Sequence, residues 1–291
     1  MDKETEKILL VVNPVSGNED KDPIIAMIKD HLTSHQSLDI LKTTGENDEE
    51  AVNGAIRQVK PNRIIAVGGD GTIKLIAEAD AAENPIIGII AAGSANGLAT
   101  DLELPESMEE CVTIALGNQF IEVDSLCIGD QLCLHISDMG LNAELIRRYS
   151  NLPVRGYLGY ALSAIPTLTK ADNQFVFHIE TPTQTMKTEA IMVSFANCKK
   201  FGTGVTINPN GEVNDGKFEV LIFKNFNPIE VIKTLNGNIS MNPEFVEVIQ
   251  TTEVKVTVDR PIPFQIDGEV CGNITEISVT IIPGNMKVAV G

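Results

Sequence analysis

Short, uniformly apolar runs alternate with helical stretches over the first 120 residues, and this alternation constrains the fold more than any other feature. The predicted strands are residues 8–12, 37–42, 64–67 and 86–91, and the predicted helices are residues 23–32, 48–59 (with Asp48 as N-cap), 73–82 and 108–116. Strands that are apolar throughout are buried on both faces, and intervening helices make successive strands parallel. The pattern predicts a Rossmann-like α/β domain with a parallel sheet.

From about residue 118 the chain becomes rich in strands that are separated by turn residues. The predicted strands are residues 120–123, 132–136, 175–179, 190–195, 219–223, 253–258 and 276–282. One predicted helical insertion, residues 141–168, interrupts them. This density of strands predicts an antiparallel β-sandwich or an open barrel. We therefore expect two domains, residues 1–122 and 123–291, with the last few residues able to pack back on the first.

Charge and cysteine content exclude several classes of protein. The net charge of −18 argues against a nucleic-acid surface, and residues 1–123 carry most of it, with 9 basic and 22 acidic side chains. No apolar run approaches the roughly 18–20 residues that span a bilayer, and the charged start MDKETEK speaks against a secretory signal. The five cysteines include no C-x-x-C pair. We expect reduced thiols in a cytoplasmic protein.

The sharpest motif is GGDGT at residues 68–72, between a predicted strand and a predicted helix. Glycines let the backbone approach a phosphate closely, and the following helix start adds its positive dipole end. Asp70 offers an anion for Mg²⁺ or for a hydroxyl proton, and Thr72 offers a hydroxyl and a helix cap. The structural alternative is an ordinary turn with Asp70 and Thr72 as caps. Three glycines in four positions favour a phosphate-binding turn.

Two more turns of small residues, GSANG at 93–97 and NPVSG at 13–17, follow other strands of the same predicted sheet. The carboxyl ends of parallel strands meet at one edge, where ligands bind in such folds. The chain contains neither a Walker P-loop nor a Rossmann dinucleotide fingerprint. Together the three turns predict a phosphate-lined crevice of another kind.

In their order and spacing, NPVSG, GGDGT and GSANGLA resemble the catalytic domain of the diacylglycerol/sphingosine lipid kinase family, in particular its bacterial diacylglycerol-kinase-like members. The second half agrees, with MGLNAE at 139–144, RGYLGY at 155–160, FGTG at 201–204, NDGKF at 214–218 and DGE at 267–269. The resemblance implies an α/β nucleotide domain, a C-terminal β-sandwich and an active site between them. It implies an ATP- and Mg²⁺-dependent kinase of phospholipid metabolism that phosphorylates a hydroxyl of a lipid such as diacylglycerol or a sphingoid lipid.

The resemblance also implies roles for single residues. The implied nucleotide-binding residues are Asn13, Thr43 (or its neighbour Thr44), Gly68, Gly69, Asp70, Gly71, Thr72, Ser94 and Asn96. Asp267 matches the proton acceptor of bacterial members, with Glu269 beside it, although Asp267-Gly268 is also a favoured hairpin turn. Asp70 is the rival base, as sphingosine kinases are thought to use this aspartate.

A structural Mg²⁺ site is implied as well. Asp215 matches its acidic residue, and main-chain carbonyls such as those of Lys217 or Phe218 would complete it. The expected partners are ATP, a lipid and transiently the membrane surface, with a homodimer left open and no nucleic acid.

The sequence departs from the family pattern at three places. The turn at 93–97 lacks the aspartate of G-T-x-N-D, Asn142 stands where many members carry Asp, and residues 202–204 read G-T-G instead of G-G-G. The lipid therefore stays open. Two alternatives also stay open: a soluble nucleotide kinase similar to NAD kinase, and a non-catalytic nucleotide or lipid sensor on the same fold.

Overall fold

The structure is a computed structural model that describes residues 5–79, 81, 84–149, 174–200, 206–225 and 242–291. The chain divides into two compact units, which we call unit 1 (Met1–Val123 with Gly284–Gly291) and unit 2 (Asp124–Pro283). The motifs at 155–160 and 201–204, and the predicted helix beyond residue 149, lie outside the described residues. No helix within the described ranges has both the length and the apolar character needed to cross a membrane.

Unit 1 is built on a parallel sheet. Its strands are β1 (Glu6–Val12), β2 (Gln36–Lys42), β3 (Arg63–Gly68) and β4 (Ile86–Ala91). They pair in the order β2-β1-β3-β4, and Lys287 and Val288 near the C-terminus add a parallel strand beside β4. The helices are α1 (Asp22–His31), α2 (Asp48–Val59), α3 (Asp70–Ala77), α4 (Gly97–Asp101) and α5 (Met108–Leu116).

The core of unit 1 follows from the uniform apolarity of its strands. Every residue of β3 is buried, and Ile8, Leu10 and Val12 of β1 pack with residues of α1 and α5. Gly88 of β4 lets α5 lie close, since a Cβ there would meet the Ala115 main chain at 2.8 Å. The predicted α/β domain with a parallel sheet is confirmed.

Unit 2 is antiparallel. Its strands are β5 (Phe120–Ile128, which starts in unit 1), β6 (Gln131–Cys133), β7 (Ile136–Gly140), β8 (Phe175–Glu180), β9 (Thr185–Ala190), β10 (Met192–Ala196), β11 (Phe218–Phe223), β12 (Val246–Thr251), β13 (Glu253–Ile266) and β14 (Glu269–Ala289, which ends in unit 1), and α6 (Leu141–Tyr149) follows β7. The main order is β12-β11-β10-β7-β13-β14, and β8 pairs with β13 as well as with β9. Phe177, Phe195 and Phe218 lie in its core. The predicted antiparallel sandwich is confirmed.

Some predicted element boundaries differ from those of the structure. The strand predicted at 132–136 is two strands, because the N–H groups of Leu134 and His135 donate to Asp267 instead of to a neighbouring strand. Helix α3 begins at Asp70, inside the glycine-rich turn, and ends at Ala77. The N-cap of α2 is Asn47, with Asp48 as the first helical residue.

Candidate active site

The loops after β1, β2, β3 and β4 meet at the carboxyl edge of the unit 1 sheet. Asn13 donates its N–H to the Val67 carbonyl (2.9 Å), and Thr43 donates its N–H to the Val12 carbonyl (2.8 Å). Beyond the strand ends, the Ala92 N–H likewise donates to the Gly68 carbonyl (2.9 Å). These bonds continue the parallel ladders into the loops. The structure thus brings the predicted nucleotide-binding residues of unit 1 to one edge.

The turns at 68–72 and 93–97 are in direct backbone contact. A Cβ on Gly93 would lie 2.4 Å from the Gly69 Cα, and a Cβ on Gly69 would lie 3.2 Å from the Gly93 Cα. Gly71 differs, since a Cβ built there would meet no atom within 4 Å. Gly69 and Gly93 therefore let the two turns pack together, whereas Gly71 borders open space.

Gly93→Ala should destabilise unit 1, because the added methyl group would overlap the main chain of Gly69. Overpacking of this kind typically costs about 1–3 kcal/mol. The control is Gly71→Ala, which adds the same methyl group to open space and should leave the thermal midpoint unchanged or raise it. Equal midpoints for the two variants in a thermal melt would show that the two turns do not touch.

Asp70 links the two turns through its carboxylate. Oδ2 accepts the Gly97 N–H (2.8 Å) and Oδ1 accepts the Leu98 N–H (3.0 Å), which caps the start of α4. The Thr72 hydroxyl is buried, and it has no hydrogen-bond partner in the part of the chain that the structure describes. A buried hydroxyl without a partner is costly. At a helix start it marks a place where a ligand oxygen would be stabilised.

The other predicted residues of this edge divide into loop-shaping and accessible groups. Asn13 Oδ1 accepts the Val15 N–H (3.1 Å), and Asn96 both accepts the Gly93 N–H (2.8 Å) and donates to the Gly93 carbonyl (3.0 Å). Thr43 is buried, with its hydroxyl 3.4 Å from the Val12 carbonyl. Ser94 is exposed. Asn13 and Asn96 hold the loop shapes, and Ser94 can meet a ligand without rearrangement.

In unit 2, the DGE segment forms the hairpin between β13 and β14. Asp267 and Gly268 have φ angles of 49° and 87°, as a two-residue type I′ turn requires. The Asp267 carboxylate accepts the N–H groups of Leu134 (3.0 Å) and His135 (2.9 Å) and faces the Cys133 thiol (3.3 Å). Asp267 therefore anchors the turn to the segment between β6 and β7.

The carboxylate of Glu269 is exposed, and it makes no hydrogen bond or ion pair with the described residues. Glu269 follows Gly268 directly and pairs with Ile266 across the hairpin. Of the two acidic side chains of the DGE segment, Glu269 is therefore the more exposed, and its carboxylate has no hydrogen-bond partner among the described residues.

A chain of buried polar side chains supports this hairpin, and sequence reasoning missed it. The Gly268 N–H donates to Gln265 Oε1 (2.7 Å), and Gln265 Nε2 donates to Asp138 Oδ2 (2.6 Å). Asn142 Nδ2 donates to the same Asp138 oxygen (2.5 Å). The signal that could have indicated a buried polar group is Gln265, the one polar side chain in the apolar run 262–266. Asn142, noted as a departure from the family pattern, is thereby a structural partner of Asp138.

Asp138 should make unit 2 less stable as the pH rises from about 4 to about 6. Burial raises the pKa of Asp138 from 3.8 to about 6. Hydrogen bonds from Asn142 and Gln265 lower the pKa but offset only part of this effect. Between those values the unfolded chain has released the proton while the folded chain keeps it, so stability rises as the pH falls from about 6 to about 4. A difference of about two pKa units corresponds to ~3 kcal/mol.

Urea unfolding at pH 5 and pH 7.5, compared between wild type and Asp138→Asn, measures this dependence. The variant carries no titrating group at the site, so its stability should change less between the two pH values. The same pH dependence in both proteins would rule out a raised pKa at Asp138.

The predicted metal residues lie on the turn that leads into β11. Asp215 is exposed, and its Oδ1 accepts the Lys217 N–H (2.9 Å) while its Oδ2 accepts Gln250 Nε2 (3.1 Å). The Lys217 ammonium donates to Gln250 Oε1 (3.3 Å). Phe218 is fully buried, and because its side chain has no ligand atom, only its main-chain carbonyl could coordinate a metal. A carboxylate that sequence reasoning missed, that of buried Asp124, holds the turn by accepting the Gly216 N–H (2.7 Å).

Acidic side chains lie close together near this turn. Burial raises the pKa of Glu219, and the nearby charges of Asp215 and Glu212 raise it further. Asp215 is not joined by two more acidic, histidine or cysteine ligand atoms within 4.8 Å in the described parts of the chain. Mg²⁺ is commonly held by one or two carboxylates with carbonyl and water oxygens, so Asp215 with main-chain carbonyls fits it.

Two family models together match nearly the whole chain. The Diacylglycerol kinase catalytic domain matches residues 7–128, and the YegS C-terminal NAD kinase beta sandwich-like domain matches residues 136–290. The chain belongs to the YegS-like diacylglycerol kinase family. The family predicted from the sequence motifs is thereby confirmed, and with it membership in a family of lipid kinases.

Two curated relatives are identical to this chain at a quarter or slightly more of the aligned residues. A "Probable lipid kinase YegS-like" from Chromohalobacter salexigens is 28% identical over 78% of this chain and 75% of its own length. A protein with the same description from Enterobacter sp. (strain 638) is 25% identical over 91% of this chain and 89% of its own length.

Solved structures agree on the fold of the YegS-like chain. A crystal structure of a diacylglycerol kinase from Bacillus anthracis str. Sterne matches with a TM-score of 0.74 at 17% identity, covering 100% of this chain and 98% of that one. Another structure from the same strain has a TM-score of 0.81 at 20% identity and covers 97% of that chain. At these identities the likeness shows the fold alone.

Proposed function

We propose that this chain is an ATP- and Mg²⁺-dependent lipid kinase that transfers the γ-phosphate of ATP to a lipid hydroxyl. The observation that carries the proposal is the start of α3, where Gly71 borders open space and the buried Thr72 hydroxyl has no partner among the described residues. Membership in the YegS-like family supports the same activity. Unit 1 would bind the nucleotide and unit 2 the lipid.

In this proposal the phosphates of ATP lie against the turn at 68–72. The first N–H groups of a helix have no partner within the helix, and the helix dipole favours negative charge there. The open side of Gly71 gives a phosphate oxygen access to the backbone, and Thr72 offers it a hydroxyl donor. Asp70 contributes by holding α4 and the turn at 93–97 in place through two main-chain hydrogen bonds.

The acceptor hydroxyl needs a base, for which we propose the DGE hairpin. The base takes the hydroxyl proton as the lipid oxygen bonds to the γ-phosphorus and the bond to the ADP oxygen breaks. The lone pairs of Asp267 already accept two N–H groups and face a thiol, whereas the carboxylate of Glu269 is exposed. We therefore propose that Glu269 accepts the proton of the lipid hydroxyl and that Asp267 positions the turn.

Bound with ATP, Mg²⁺ would neutralise charge on the phosphates during transfer. At the second, structural site, Asp215 would hold Mg²⁺ with main-chain carbonyls of Lys217 or Phe218. The turn before β11 would then be held at two neighbouring residues. The Asp124 carboxylate accepts the Gly216 N–H, and the cation would bind Asp215.

Release of ADP by the purified chain with Mg·ATP tests the proposal, with diacylglycerol in micelles, a sphingoid base and NAD offered separately. Release that depends on a lipid acceptor supports a lipid kinase and narrows the lipid class. Release with NAD alone would replace the proposal by a soluble nucleotide kinase. Binding of ATP without release for any acceptor would favour a non-catalytic sensor.

A further inference from the structure

Lys21 is a buried cation at the carboxyl edge of the unit 1 sheet. It immediately precedes α1, and only 3% of the residue is exposed to solvent. Its Nζ donates to the Ala92 carbonyl at 3.2 Å. Ala92 directly precedes Gly93 in the turn that contacts Gly69. The ammonium therefore contacts the residue directly before the turn at 93–97, one of the two turns at which phosphate binding is proposed.

Among the described residues, no carboxylate contacts the Lys21 ammonium. No carboxylate oxygen of the described residues lies within 4.0 Å of Nζ, and the Ala92 carbonyl is its single hydrogen-bond acceptor among them. Two other basic residues of unit 1 do have an acidic partner: Arg63 is buried against Glu6 (3.0 Å), and exposed Lys42 contacts Asp22 (3.0 Å). An ammonium has three donors, and burying it without a counter-charge is costly.

Lys21 is a positive charge in a strongly acidic part of the chain. Residues 1–123 carry 22 acidic and 9 basic side chains, so unit 1 as a whole repels an anion. A ligand with several negative charges needs a local positive charge to bind there, and charges interact more strongly where water is excluded. Gly17 of the loop at 13–17 also packs on Ala92, since a Cβ on Gly17 would meet the Ala92 oxygen at 2.7 Å. Lys21 and the loop at 13–17 thus both approach Ala92, which directly precedes the turn at 93–97.

We propose that the Lys21 ammonium is the buried counter-charge for the phosphate chain of the nucleotide. This rests on the proposed function, and it assigns a phosphate-binding role to a residue outside the glycine-rich turns. The competing role is structural, with Lys21 tying the loop before α1 to Ala92. The two roles predict opposite effects on the stability of the ligand-free protein. A structural tie would stabilise it, whereas a buried charge without a counter-charge would destabilise it until an anion binds.

Lys21→Met separates the two roles, because methionine has a similar length and shape without the charge. Dissociation constants for ATP, inorganic pyrophosphate and adenosine should be measured together with the melting temperature of the free protein. We expect affinity for ATP and pyrophosphate to fall about 10- to 100-fold, as for loss of a charged hydrogen bond, with adenosine unaffected. The free variant should melt at or above the wild-type temperature.

The control is Lys29→Met, which removes the same charge from an exposed position of α1 and should change neither property. Unchanged ATP affinity in Lys21→Met, or an equal loss for adenosine, would overturn the proposal. So would a large drop in melting temperature in both Lys21→Met and Lys21→Gln, since the lysine would then be a structural tie. Failure of the wild-type chain to bind ATP would instead refute the proposed function, a result seen before any variant is made.

Discussion

Glu269→Gln should lower turnover about 10²- to 10³-fold while the melting temperature and the ATP affinity stay at wild-type values. A general base typically increases the rate about 10²–10⁴-fold. Because a loose phosphoryl transition state needs little help from a base, we expect the lower part of that range. Stability should be unaffected, because the Glu269 carboxylate is exposed and makes no hydrogen bond with the described residues. Initial rates with saturating Mg·ATP and lipid, together with a thermal melt, measure both effects.

Asp267→Asn is the matched variant. Asparagine tolerates the left-handed φ of 49°, but its NH₂ group would oppose the N–H of Leu134 or His135, so this variant should lose stability. The reverse result, a stable but inactive Asp267→Asn beside an active Glu269→Gln, would assign the base to Asp267. A stable, inactive Asp70→Asn that still binds Mg·ATP would assign it to Asp70.

Gly71→Val should reduce ATP affinity by about 100-fold or more without unfolding the chain. The side chain would occupy the open space in which we place a phosphate, so binding would lose the close approach to the backbone. Valine is a slightly better helix former than glycine, so α3 should not be weakened. Titration of ATP into the folded variant measures the loss.

Gly54→Val is the control for that substitution. Gly54 lies within α2, and a Cβ there also meets no atom within 4 Å. The control should bind ATP as the wild type does and show the same small change in melting temperature. If both variants bound ATP equally well, the turn at 68–72 would not hold the phosphates.

Where the sequence predicted elements correctly, the strands were apolar throughout or the helix had a clear amphipathic period. The predicted spans of β4, α2 and α5 match the structure. Both ends of α2 and α5 are bounded by polar residues or glycine, and Pro85 precedes β4. Strand β14 was predicted over 276–282 but extends over Glu269–Ala289. Most of its added residues are exposed or half-buried, so no alternation of apolar and polar residues marks them.

The missing parts of the site are those that depend on tertiary contacts. Sequence motifs identified the three turns of unit 1, because glycine is required where backbones approach closely. Lys21 carries no such signal, since its burial follows from the packing of the loop before α1 on Ala92. A polar residue in an apolar run can indicate a buried polar group, but Gln265 and Asp138 are more than a hundred positions apart. That they are partners becomes known from the pairing of β7 with β13.

The most direct test of the account follows the γ-phosphate itself. Purified chain should be incubated with Mg²⁺, a total lipid extract and ATP labelled at the γ-position, and the label should then be measured in the organic and aqueous phases. We predict that label enters a lipid in a reaction that requires the chain, is strongly reduced in Glu269→Gln and is lost in Gly71→Val at low ATP. Label that never enters a lipid, while the same protein phosphorylates NAD or only binds ATP, would contradict the assignment as a lipid kinase.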